Sequence, residues 1–146
     1  MFKKILYPTD FSDVSQKALD YIKQLKEAGS KSVIVLHVIN QRTIDSLGQH
    51  AVGGTKVDQW IKTVKEVANQ SLMKIEKELK ESGFEVKGKI KVGIPLREIL
   101  QAEEEEDISV IVIGSHGRTN IEEMFLGSVS EKVIRKCKKP VLVIKR

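Results

Sequence analysis

Two near-continuous apolar stretches, Val33-Ile34-Val35-Leu36-His37-Val38-Ile39 and Ile108 to Ile113, restrict the architecture more than any other feature of this chain. Each is short, rich in branched side chains and lacks the polar alternation of a strand with one wet face. Such runs suit strands buried on both sides, which parallel sheets provide when crossover helices cover both faces.

The remaining elements follow from period and punctuation. Lys4-Ile5-Leu6-Tyr7-Pro8 predicts a first strand. Ser12 then caps a helix that carries Val14, Ala18, Leu19, Ile22 and Leu25 at helical spacing, with Gly29 as its stop. The polar, glycine-bearing stretch from Asn40 to Thr55 predicts a loop, long enough to be either mobile or functional. Lys56 to Ser82 predicts the longest helix, with Trp60, Val64, Val67, Leu72, Ile75 and Leu79 on or near one face and Gly83 at its end. Phe84, Val86, Ile90 and Val92 alternate with Glu85, Lys87, Lys89 and Lys91, so this strand has one wet face, and its lysines suit a sheet edge. Pro95 opens a helix running to Glu106, and Ser128 with Glu131 matches a Ser-x-x-Glu capping box for a last helix to Lys136. Pro140 precedes a final strand, Val141 to Ile144.

Five strands alternating with four helices predict an α/β fold: a single-domain open parallel sheet over residues 1–146, in strand order 3-2-1-4-5, with helices on both faces, of the nucleotide-binding flavodoxin or Rossmann-like kind. In such sheets ligands lie beyond the carboxyl ends of the strands where the order reverses, here between the first and fourth. That prediction places Pro8, Thr9 and Asp10 beside Gly114, Ser115, His116 and Gly117.

Composition narrows the function. The chain has 146 residues, 40% of them hydrophobic and 31% charged, a globular balance without a bilayer-spanning run, so no membrane association is expected. The N-terminus lacks the apolar region of a signal peptide, and cytoplasmic residence is the default expectation. One cysteine, Cys137, excludes an intrachain disulfide. Its expected role is packing, with thiolate reactivity promoted by neighbouring cations as the lesser alternative. The net charge of +5 is modest and dispersed, and seven aromatic residues form no stacking platform, so nucleic acid is not an expected partner.

The chemistry concentrates after the fourth strand. Gly114 closes the apolar run, Gly117 follows after two residues, and Gly127-Ser128 follows after nine more, at the start of a helix. Glycines let backbone N–H groups approach an anion, and a helix N-terminus adds unpaired donors with partial positive charge. Two nucleotide motifs fail here. Gly83 to Ile90 has P-loop spacing but ends in Ile90 where a metal-binding hydroxyl belongs, and no Gly-x-Gly-x-x-Gly follows the first strand.

The pattern G-x2-G-x9-G-[S/T] instead resembles the universal stress protein family, in its ATP-binding branch. Tyr7-Pro8-Thr9-Asp10, His37-Val38 and Lys139-Pro140-Val141-Leu142-Val143-Ile144 reinforce a resemblance that covers essentially the whole chain. It implies that Gly114, Ser115, His116 and Gly117 wrap ribose and phosphates, and that Gly127, Ser128, Val129 and Ser130 offer N–H and hydroxyl groups to the phosphate chain. Pro8, Thr9 and Asp10 would line the adenine and ribose side, Val38 would meet the adenine edge through its backbone, and Arg118, Thr119 and Asn120 complete the implied site. ATP or another adenine nucleotide, with magnesium or manganese held through its phosphates, is the implied cofactor. Homodimerisation through the C-terminal strand is the implied assembly, beside an unidentified protein partner.

Plainer roles exist for several of these residues. Ser128 serves first as a cap, Asp10 suits a turn or a cap, and His37 suits a buried, hydrogen-bonded side chain without partner histidines at metal-ligand spacing. The run Glu103-Glu104-Glu105-Glu106-Asp107 reads as the solvated end of a helix. The favoured function is a nucleotide-dependent regulatory switch in stress response, in which ATP orders residues 118–126 through Met124, Phe125 and Leu126. A slow ATP-hydrolysing or phosphate-transferring enzyme is the alternative, weakened by the absence of a P-loop lysine and of an evident second carboxylate. A ligand-free interaction module is the third reading, and the intact glycine motif argues against it.

Overall fold

The computed structural model describes residues 2–50, 54–115 and 128–145. Its elements run β1 (Lys4–Pro8), α1 (Asp13–Leu25), β2 (Ser32–Asn40), α2 (Gln41–His50), α3 (Gly54–Glu81), β3 (Glu85–Gly93), α4 (Pro95–Glu105), β4 (Val110–Gly114), α5 (Ser128–Lys136) and β5 (Val141–Ile144). All strand pairings are parallel, in the order β3-β2-β1-β4-β5. The expected fold is the observed one.

Period two divides the core between the two faces. Ile5, Tyr7, Val33, Val35 and Val112 meet Ala18, Leu19 and Ile22 of α1 and Leu72, Ile75 and Leu79 of α3. The intervening Leu6, Ile34, Leu36, Ile111 and Ile113 meet Ile99 and Ala102 of α4 and Val133 of α5. Side chains of this kind contribute about 1.5–3 kcal/mol each when fully buried. A one-residue slip of β1 would exchange the two sets, so register and burial enforce each other.

Local chemistry sets the helix limits. Ser12 accepts the Ser15 N–H at 3.3 Å as the cap of α1. Pro95 starts α4 where a missing N–H costs nothing. Gly29 and Gly83, after α1 and α3, adopt φ of +102° and +95°, a region that side-chain-bearing residues rarely enter.

Three expectations are corrected. Where the predicted loop from Asn40 to Thr55 is described, it is instead the end of β2, then α2 and the start of α3, and residues 51–53 lie outside the described residues. Asn40 Oδ1 accepts the Arg42 N–H at 3.0 Å and Ile44 is buried, while the few apolar residues of the stretch show no period in the sequence. On α3, Val67 is 57% exposed, because the buried stripe consists of Ala68, Leu72, Ile75 and Leu79.

The acidic run is only partly solvated. Glu103 is 4% exposed, and its Oε1 accepts the N–H groups of Lys138 and Lys139 at 2.6 and 2.7 Å, tying α4 to the turn before β5. Glu106 gathers Lys89, Lys87 at 3.2 Å and Lys4 at 3.8 Å. Lysines on the edge strand β3 thus find an acid on the neighbouring helix, a contact that residue spacing alone does not reveal.

Candidate functional site

The order reversal lies between β1 and β4, and the residues after these strands form the floor of the candidate site. Thr9 donates its N–H to Leu36 O at 2.9 Å, while Ser115 donates to Ile144 O at 2.8 Å. Ser115 is fully buried. Gly114 carries a further bond: its carbonyl accepts from the Ser130 hydroxyl at 2.6 Å. This bond seats the first turn of α5 on the end of β4, so the helix N-terminus with its partial positive charge faces the strand ends.

The Ser130 contact refines the role expected for that residue. A hydroxyl has one proton, and here Gly114 receives it. Ser130 therefore braces the helix in this arrangement, leaving Ser128, which is exposed, as the hydroxyl open to an anion. Glu131 turns to Arg135 one turn onward and not back to the Ser128 N–H, so the anticipated capping box is not what occupies the glutamate.

On the other side, β2 outruns β1. Their register ends at Pro8↔Leu36, whereas β2 continues against β3 to Asn40↔Gly93. Two bonds fix the alternation of the ladder: Glu85 N–H reaches Lys31 O on the β3 side, and Leu36 O accepts Thr9 N–H on the β1 side. Odd residues of β2 therefore serve β3 and even residues serve β1. Val38 is even and lies past the end of β1. Its N–H and C=O face the crevice as a donor–acceptor pair.

Asp10 lies in the loop that follows β1. Its Oδ1 accepts the Ser12 N–H at 3.0 Å, a turn-forming bond, and the residue is half-buried. Thr9 is 7% exposed and is held on all sides: its Oγ1 contacts Ser15 Oγ and accepts Phe11 N–H at 3.0 Å, and its carbonyl lies 2.8 Å from His37 Nδ1. Behind it the fully buried Tyr7 hydroxyl donates to Ser15 O and lies 2.9 Å from Ser15 Oγ. Burial pushes the Tyr7 phenol above its ordinary value, partly offset by the Ser15 and Thr9 contacts. Thr9 is thus a structural hub that holds the loop carrying Asp10 against the end of β2.

The structure thus brings together Pro8, Thr9, Asp10, Val38, Gly114, Ser115, Ser128, Val129 and Ser130. His116, Gly117, Arg118, Thr119, Asn120 and Gly127 lie outside the described residues, as do Met124, Phe125 and Leu126. Among the described residues no three His, Cys, Asp or Glu side chains could together hold a metal ion. Cys137 is half-buried after α5, and burial followed by the charge of Glu103 pushes its thiol up, contrary to the activated thiolate that its basic neighbours suggested. The supporting roles of Tyr7 and Ser15 escaped sequence reasoning, whereas His37 is the hydrogen-bonded side chain expected of it, with Thr9 O as its partner.

The family model described as universal stress protein family matches residues 1–145. The chain belongs to the universal stress protein family. Universal stress protein MJ0577 of Methanocaldococcus jannaschii is 46% identical over 156 residues, spanning 100% of this chain and 96% of that protein. The solved structure of MJ0577 superposes with a TM-score of 0.91 at 44% identity, covering 100% of this chain and 97% of the other. Two more distant structures share the fold. A universal stress protein in complex with cAMP has a TM-score of 0.69 at 20% identity, covering 99% of this chain and 97% of the other. A family protein from Arabidopsis thaliana with AMP bound has 0.65 at 16%, covering 99% and 92%. Among the described residues no helix is long and apolar enough to cross a membrane.

Proposed function

We propose that this universal stress protein is a single-domain adenine-nucleotide-binding regulator, with ATP as its nucleotide, acting in stress response. The observation that carries the reading is the β1-side edge of β2 beyond the end of β1: there the alternation of the ladder turns the N–H and C=O of Val38 away from β3, beyond the last paired residue of β1. Adenine presents a donor and an acceptor side by side on one edge, complementary to such a backbone pair. Asp10 suits the ribose hydroxyls as an acceptor. The N-terminus of α5, held to Gly114 through Ser130, suits the phosphates. Nucleotides bound by the cAMP and AMP relatives support the ligand class.

A divalent cation would be carried by the phosphates themselves, magnesium being a cation that retains several waters in such complexes. A homodimer pairing through β5 suits an edge strand whose short run Val141–Ile144 is apolar.

The test is direct. Purified protein is denatured, and any released nucleotide is identified by chromatography; equilibrium ATP binding is then measured for the parent, Asp10→Ala and Gly117→Val. The expected result is nucleotide bound by the parent and lost in both variants. No released nucleotide and no measurable ATP binding in the parent would overturn the reading.

A further inference from the structure

We infer that His37 is a positioning residue that sets the separation between the base-reading edge at Val38 and the sugar-reading carboxylate at Asp10. The inference rests on the nucleotide reading above. It starts from three contacts. His37 Nδ1 lies 2.8 Å from Thr9 O, its ring stacks on Phe11 with centroids 4.4 Å apart and planes at 29°, and Phe11 adopts φ of +64°.

A carbonyl oxygen only accepts, so His37 Nδ1 carries the proton and donates. The donor sits on the odd face of β2, the acceptor on the loop after β1. One bond therefore joins two strand ends at the level where their own ladder has stopped. Phe11 shows why the bond is needed. A phenylalanine with positive φ is unfavourable by itself and persists only where its surroundings impose it. Here two groups do so: Thr9 Oγ1, which accepts the Phe11 N–H at 3.0 Å, and the His37 imidazole, which stacks on the Phe11 ring.

Asp10 stands between these anchored neighbours. Thr9 before it has its N–H, C=O and hydroxyl all engaged by protein, and Phe11 after it is pinned in the left-handed region. The course of the chain through Asp10 is consequently set from β2. His37 is also covalently adjacent to Val38. The same residue thus references both proposed nucleotide contacts, while its side chain occupies the sheet face opposite to that of Val38.

The test compares the parent with His37→Leu, which removes the donor and the ring, and His37→Asn, whose side-chain amide supplies a donor at the Nδ1 position. Dissociation constants are measured for ATP and for 2′,3′-dideoxy-ATP, which lacks the hydroxyls that Asp10 would hold. Amide exchange at Phe11 and Ser12 is measured without ligand. In the parent, ATP should bind roughly tenfold more tightly than its dideoxy analogue. His37→Leu should reduce that preference to about twofold or less and accelerate exchange at Phe11 and Ser12, and His37→Asn should recover most of both. Equal weakening of the two nucleotides with the preference intact would overturn the inference, because a merely structural role has that signature. Failure of His37→Asn to improve on His37→Leu would also overturn it. If the parent binds neither nucleotide, the functional reading falls by itself, and unchanged exchange in His37→Leu would then refute the clamp independently.

Discussion

Replacing Glu106 by Gln should destabilise the fold at neutral pH and lose its effect in acid. The Glu106 side chain is only 13% exposed and faces Lys89, Lys87 and Lys4. The hydrogen bond from Lys89 is the largest influence on its carboxyl; burial opposes it, Lys87 assists, and the balance lowers the pKa from 4.5 to about 2. Such a drop corresponds to about 3 kcal/mol as an upper bound, since one pH unit is worth about 1.4 kcal/mol. Lys87 is 59% exposed, so water and salt screen part of the cluster, and about 1–2 kcal/mol is the expected net effect. The sign follows from proton counting. Between pH 4.5 and 2 the unfolded chain has taken up the proton and the folded chain has not, so acid favours unfolding. The contribution is fully present above pH 4.5 and disappears as pH falls towards 2. Urea denaturation of parent and Glu106→Gln at pH 7 and across pH 5 to 2, in low salt, measures it. Equal midpoints at pH 7, or a difference that persists undiminished at the acid end, would refute the electrostatic account of this cluster.

Other outcomes follow from neighbouring contacts. Glu103→Ala should cost about 2–4 kcal/mol in chemical denaturation, because two backbone N–H groups lose a buried, charged acceptor, and Glu103→Gln should recover part of it by keeping one carbonyl oxygen. Ser130→Ala should cost about 1 kcal/mol and weaken ATP binding several-fold, since Gly114 O loses its donor and α5 its brace; unchanged binding would count against the bracing role. Tyr7→Phe should lower stability by about 1–2 kcal/mol by removing the buried bonds of its hydroxyl to Ser15. In the parent, stability should fall as pH rises beyond 10, because the unfolded phenol ionises before the folded one; a parallel loss in Tyr7→Phe would assign that fall to another group.

Much of this protein was legible from residue order because the relevant forces are local or periodic. Continuous apolar runs announced strands buried on two faces, alternation with lysines announced the β3 edge, and Ser12, Gly29, Pro95 and Gly83 marked helix limits through their own backbone preferences. Glycine spacing pointed to a candidate phosphate cradle, of which Gly114 and the residues from Ser128 lie among the described residues. What remained hidden depended on contacts between residues far apart in the chain. Glu103 and Glu106 belong to one acidic run by sequence, yet the first is buried against the Lys138 and Lys139 amides and the second is surrounded by lysines of two strands. A helix over Gln41–His50 with so few apolar residues in its sequence leaves no period to read. Nor does any local rule place Phe11 at positive φ or set His37 against Thr9. The parallel register does so, by ending β1 four residues before β2 and leaving a side chain of one strand to hold the loop of the other.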